Sequence, residues 1–124
     1  MLESHGASRL LVTFNDAIPG FIFGGIFFSN EFIDKHPDQV KAFLRGLVKS
    51  FDFIRKNEAK AREWIPKYAH VEPDVARKSA IRQFEDGREP REQLIKQMEL
   101  MIRYGFLSEM VPPEKFVDYS YLPK

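Results

Sequence analysis

The spacing of apolar residues along this chain changes near residue 29. Before that point, two stretches are apolar at most positions: 9–14 (RLLVTF) and 21–28 (FIFGGIFF). A continuous apolar run between turn residues is typical of a strand buried on both faces, and such a strand needs neighbouring strands. We therefore predict one or two short N-terminal strands whose sheet is incomplete, in a chain that is otherwise mostly α-helical.

After residue 29 the apolar residues recur every three or four positions, which predicts amphipathic helices. Proline followed by acidic residues is typical of a helix start, because proline at the first position loses no intrahelical hydrogen bond. After a short turn at 30–35, the predicted helices are 37–56, 58–68, 73–84 and 90–104. We expect Asn57 to cap the second helix, Pro66 to kink or end it, and Gly105 to follow the fourth.

The glycines of the first apolar run invite comparison with phosphate-binding loops. The spacing of Gly20, Gly24 and Gly25 matches neither the dinucleotide fingerprint nor a P-loop, and no Lys-Ser/Thr pair follows. Glycine within a strand more often marks a bulge or a close backbone approach. The approaching group could be a ligand.

Composition excludes several classes of function. The 124 residues carry a formal net charge of +1 and no cysteine. Such a balance predicts no nucleic-acid partner, and disulfide and thiolate chemistry are excluded. No stretch approaches the roughly 20 apolar residues of a membrane span. Residues 1–6 lack the basic and apolar regions of a signal peptide, so we expect none in this chain.

The candidate reactive groups form no catalytic pattern. His5, His36 and His70 have no zinc-ligand spacing to one another or to carboxylates. No nucleophile elbow is present, and the acidic residues are interleaved with arginines, as on a solvated face. We therefore expect no catalytic residue, no metal site and no cofactor, and a protein that is not an enzyme.

The order of several segments resembles a known family. The segments are GGIFFSNEFI at 24–33, HPDQVKAF at 36–43, KNEA at 56–59, QLIKQMELM at 93–101, GFL at 105–107 and FVDYSYL at 116–122. Together they resemble the C-terminal part of periplasmic substrate-binding proteins of the nitrate/sulfonate/taurine ABC-importer type. That superfamily includes relatives of the thiamine-pyrimidine synthase.

The resemblance implies a fold and a function. The chain would be a single partial domain, the C-terminal portion of a two-lobed α/β binding protein, with 1–28 as a strand and hinge segment and 29–124 as C-terminal helices. The intact protein would bind a small organic or anionic nutrient, such as a sulfonate, nitrate or a thiamine-pyrimidine precursor, and deliver it to an ABC permease. It would be periplasmic or a membrane-associated lipoprotein. Pro19, Gly20, Phe21 and Gly24 would lie near the ligand.

Two alternatives stay open. The chain could be a fragment of a thiamine-pyrimidine-synthase-like enzyme, which would need a histidine-bearing active site in an upstream region. It could also be a stand-alone helical module that forms a homodimer or larger homo-oligomer, by exchanging the 21–28 segment between protomers. Upstream coding sequence would reveal the first, and light scattering the second.

Overall fold

A computed structural model describes residue 3 and residues 5–81 and 85–124 of the chain. Helices account for 54% of these residues and none of them forms a strand, so the mostly α-helical prediction is confirmed. The helices are α1 (Phe14–Ala17), α2 (Asn30–Lys35), α3 (Pro37–Lys56), α4 (Glu58–Ala69), α5 (Pro73–Lys78) and α6 (Arg91–Arg103), followed by a 3₁₀ turn at Pro113–Lys115.

The two predicted strands, 9–14 and 21–28, are wrong. Thr13 ends the first run because its side chain caps α1, so that Phe14 is already helical. The second run has no regular secondary structure. Its Ile22 instead bonds to the side chain of Gln97. A strand gains its stability from neighbouring strands, and the described part of the chain offers none.

The long helix α3 has the bounds that its apolar stripe predicts, Pro37–Lys56. Asn57 stands at the N-cap of α4, as expected, but its side-chain amide donates to Phe53 O instead of capping the helix. Helix α4 continues past Pro66 to Ala69 and ends at His70, whose φ is 52°. Gly105 follows α6 with a φ of +78°, as a C′ glycine does.

Helix α5 ends at Lys78, so it is shorter than the predicted helix 73–84. The Arg62 guanidinium donates through Nη1 to the carbonyls of Ala76 and Arg77, at 3.2 and 3.3 Å, and to that of Ser79. These are carbonyls that a helix end leaves without intrahelical partners. The last three residues of the predicted helix, 82–84, lie outside the described residues.

The chain divides into two compact units, Met1–Val12 with Gly46–Asp86, and Thr13–Arg45 with Gly87–Lys124. The first contains α4 and α5, which pack through the buried Ala61 and Ala76. The rings of Phe53 and Trp64 stack there with centroids 5.4 Å apart. Both alanines let the helix backbones approach closely, so this small core has little side-chain volume.

The second unit contains α1, α2, α6 and the 3₁₀ turn. The rings of Phe28 and Phe32 stack at 6.2 Å, and Phe43 meets Phe28 edge-on at 5.7 Å. Val40 is only 2% exposed, and Met98 of α6 is also buried. The start of α3 and one face of α6 therefore carry the core of this unit.

Candidate functional site

Two glutamines on α6 hold the backbone at the start of the second apolar run. Gln93 and Gln97 are four residues apart, so they lie one above the other on the same helix face. Both are half-buried, and both bond to the backbone of residues 19–22. We call these two residues the amide pair.

The Gln97 carboxamide satisfies both backbone groups of one residue. Its Oε1 accepts from Ile22 N–H at 2.7 Å, and its Nε2 donates to Ile22 O at 2.9 Å. An amide side chain has one acceptor and one donor group side by side, which is also what a neighbouring strand presents. Gln97 thus takes the place of a paired strand at Ile22.

Gln93 lies one helical turn before Gln97 on α6 and binds the chain at Pro19 and Gly20. Its Nε2 donates to Gly20 O at 2.6 Å and to Pro19 O at 3.2 Å. Gly20 has a φ of +78°, and a Cβ added there would lie 2.8 Å from the Gln93 side chain. The positive φ favours glycine at this position, and a Cβ there would also displace the Gln93 carboxamide from its hydrogen bonds.

The short helix α1 braces the other side of this turn. The Thr13 hydroxyl donates to Asp16 Oδ2 at 2.6 Å and accepts from Asp16 N–H at 3.1 Å, which forms a capping box. Hydrogen bonds from the side chain and then the backbone of Thr13 hold the pKa of Asp16 below its usual value. Asn15 Oδ1 accepts from Gly20 N–H at 3.2 Å, which joins α1 to the turn.

Three phenylalanines form an aromatic cluster beside the turn. Phe14 stacks on Phe21 with centroids 5.1 Å apart, and Phe23 meets them edge-on at 6.5 and 6.4 Å. Phe14 and Phe23 remain 62% and 66% exposed. Aromatic rings with open faces offer a contact surface for an apolar, aromatic or cationic group.

The four residues predicted to lie near the ligand do not share one environment. Pro19 and Gly20 lie on the amide pair, and Phe21 belongs to the aromatic cluster. Gly24 lies apart, because an added Cβ there would meet no heavy atom of the described residues within 4 Å. The structure thus brings three of the four together.

The sequence reasoning missed the amide pair and the two outer rings of the cluster. A signal for the pair is present in QLIKQ at 93–97, where two amides recur at the helical spacing on a face that is otherwise apolar. Phe14 and Phe21 fall in the two different predicted strands, 9–14 and 21–28.

The polar side chains of this arrangement are engaged within the chain, and its exposed groups are the rings of Phe14 and Phe23. Its polar atoms are amides and backbone groups, and the Asp16 carboxylate is engaged by Thr13. Among the described residues, no cluster of three or more His, Asp or Glu side chains could hold a metal ion. None of the helices in the described part of the chain is long and apolar enough to cross a bilayer.

No family model, no curated protein and no solved structure matches this chain.

Proposed function

We propose that this chain is the C-terminal region of the substrate-binding component of an ABC importer for a small organic or anionic nutrient. Candidates are a sulfonate, nitrate or a thiamine-pyrimidine precursor. The protein works by closing two lobes on its ligand and passing it to a permease, without catalysis. Its location is the periplasm, free or as a membrane-associated lipoprotein.

The observation that carries this proposal is the order of helix boundaries in the resembling segments. Ser29 caps α2 through its hydroxyl, which accepts from Phe32 N–H at 3.2 Å. Pro37 then opens the 20-residue α3, and α6 is followed by a C′ glycine. These boundaries lie within three of the segments that carry the resemblance, 24–33, 36–43 and 105–107.

The amide pair and the aromatic cluster suggest how such a protein would use this region. Residues 19–22 are held at two points, and the rings of Phe21 and Phe23 meet beside them with centroids 6.4 Å apart. In the intact protein, we place the open face of the aromatic cluster toward the ligand. Gln93 and Gln97 would then be positioning residues, since their amide groups are occupied by backbone.

The experiment begins with the coding sequence immediately upstream of Met1. The proposal expects an in-frame first lobe, with permease and ATPase genes adjacent. The protein from that whole reading frame should gain thermal stability with one nutrient from a panel of taurine, alkanesulfonates, nitrate and aminopyrimidines, and the 124-residue chain alone should not. Submillimolar binding by the 124-residue chain alone would contradict the proposal.

A second candidate function is self-association as a stand-alone helical module. The observation that favours it is the exposure of large apolar side chains, which include Phe23 at 66%, Ile26 at 54% and Phe27 at 88%. Others lie elsewhere in the chain, such as Leu11 at 80% and Phe106 at 76%. Contiguous apolar surface on a monomer is typical of interaction sites. Light scattering over a concentration series should show a dimer or larger species, and a monomer at every concentration would rule this candidate out.

A further inference from the structure

We infer that two copies of this chain exchange the arm of residues 13–23, so that the arm of one copy lies on the amide pair of the other. The inference rests on the self-association candidate above and adds which residues are exchanged, which receive them and where the chain opens. It is independent of the transport proposal.

The surface that receives the arm is the amide pair, because the arm of the same chain already lies on it in the closed monomer. Gln97 binds both backbone groups of Ile22, and Gln93 binds Gly20 O. These bonds are made to backbone atoms, and they are the same whether the arm comes from this copy or from a second one. An exchanged dimer therefore keeps every hydrogen bond of the closed monomer at this site.

The hinge lies directly after the arm. Within the described residues, no backbone hydrogen bond holds residues 24–27. Gly24 and Gly25 lie here, and glycine adopts a wide range of backbone angles without steric cost. Five extended residues, 24–28, span roughly 17 Å, which is enough for the arm to leave one α6 and reach another.

The exchange also accounts for the exposed side chains of the hinge. In the closed chain Ile26 and Phe27 face solvent. In an exchanged dimer the two hinges run side by side, so these residues meet their counterparts across a two-fold axis. Their burial gives the dimer apolar contacts that the monomer lacks.

The residues before the arm belong to the first compact unit, so the exchange has to release them from it. One of their contacts, between His5 Nε2 and the carboxylate of Glu72 at the N-cap of α5, spans 3.4 Å and is more than half exposed on both sides. Exposed contacts of this kind contribute little to stability. The equilibrium between closed and exchanged forms then depends on protein concentration, on the hinge and on the contacts that hold the N-terminal residues in the first unit.

The absence of cysteine permits a direct test. One preparation carries Pro19→Cys and another Gln93→Cys; the unsubstituted atoms Pro19 O and Gln93 Nε2 are 3.2 Å apart. The two preparations are mixed at high concentration and oxidised. A disulfide between the two different copies is expected, and it should form several-fold faster than disulfides between like copies. As a control, one chain carries both substitutions and is oxidised at low concentration. An intramolecular disulfide in this double variant shows that the two positions are close enough to be linked.

A second measurement does not depend on disulfide geometry. Deleting Gly24 and Gly25 shortens the hinge, so the arm cannot fold back and the dimer should form at concentrations at least tenfold lower. Inserting three glycines should favour the monomer. A dimer that is insensitive to hinge length, together with an unlinked mixture, would overturn the exchange and leave self-association standing. A monomer throughout would overturn both.

Discussion

The Gln97 carboxamide is the contact whose removal has the clearest expected consequence. Gln97→Ala deletes two hydrogen bonds to Ile22, at 2.7 and 2.9 Å, in a partly buried setting. Each such bond contributes about 0.5–1.5 kcal/mol net, so the free energy of opening residues 19–23 should fall by about 1–3 kcal/mol. That corresponds to about 5- to 150-fold faster hydrogen exchange at the Ile22 amide.

The assay is native-state hydrogen exchange followed by NMR at low protein concentration. Alanine has a higher helix propensity than glutamine, so α6 itself is not weakened by the change. Lys96→Ala, on an exposed position of the same helix, is the matched control and should leave the Ile22 rate unchanged.

The Gln97→Glu variant tests the donor group of the carboxamide separately from its acceptor. A glutamate carboxylate accepts from Ile22 N–H but has no donor for Ile22 O, so at neutral pH it should protect the amide less than glutamine does. If Ile22 exchanges at the same rate in the wild-type and Gln97→Ala chains, then the side chain does not hold this segment. In that case both the amide pair and the arm-exchange inference lose their basis.

Three further predictions concern the turn at Gly20, the end of α5 and the capping box of α1. Gly20→Ala should lower the free energy of unfolding by about 1–3 kcal/mol, because φ is positive and the Gln93 side chain lies 2.8 Å from the new Cβ; Gly24→Ala, in open space, should be neutral or stabilise by up to about 1 kcal/mol in denaturant titrations. Arg62→Met should destabilise by about 2–3 kcal/mol in thermal unfolding, since it removes the donors to three carbonyls, and a loss below 0.5 kcal/mol would refute the capping role. Because Thr13 lowers the folded-state pKa of Asp16, the stabilisation from this carboxylate is present above about pH 3.9 and is lost as pH falls through the folded-state pKa; NMR titration should show that pKa rising in Thr13→Ala.

The helices after residue 29 could be predicted from sequence because their determinants are local. The apolar stripe of α3 and the proline at its start give its bounds without reference to any other part of the chain. The C′ glycine of α6 is a similar local signal. Such elements need only the periodicity and capping preferences of their own residues.

The N-terminal segment could not be predicted in this way. An apolar run predicts a strand only if neighbouring strands exist, and here the neighbour of Ile22 is a side chain 75 residues away. The end of α5 also involves a distant residue, because Arg62 donates to the carbonyls of Ala76 and Ser79, in addition to the local bond from the Ser79 hydroxyl to Val75 O at 2.7 Å. In both places, a long-range polar contact contributes to a conformation that the local pattern leaves open.

The dependence of α5 on Arg62 has a consequence for the order in which the chain folds. A six-residue helix does not persist alone in water. Its terminal carbonyls gain their partner only after α4 has formed, because α4 sets the position of Arg62 through the bond from Nη2 to Glu58 at 2.7 Å. We expect α5 to appear as a late event in refolding, and an isolated peptide of residues 70–81 to remain unfolded.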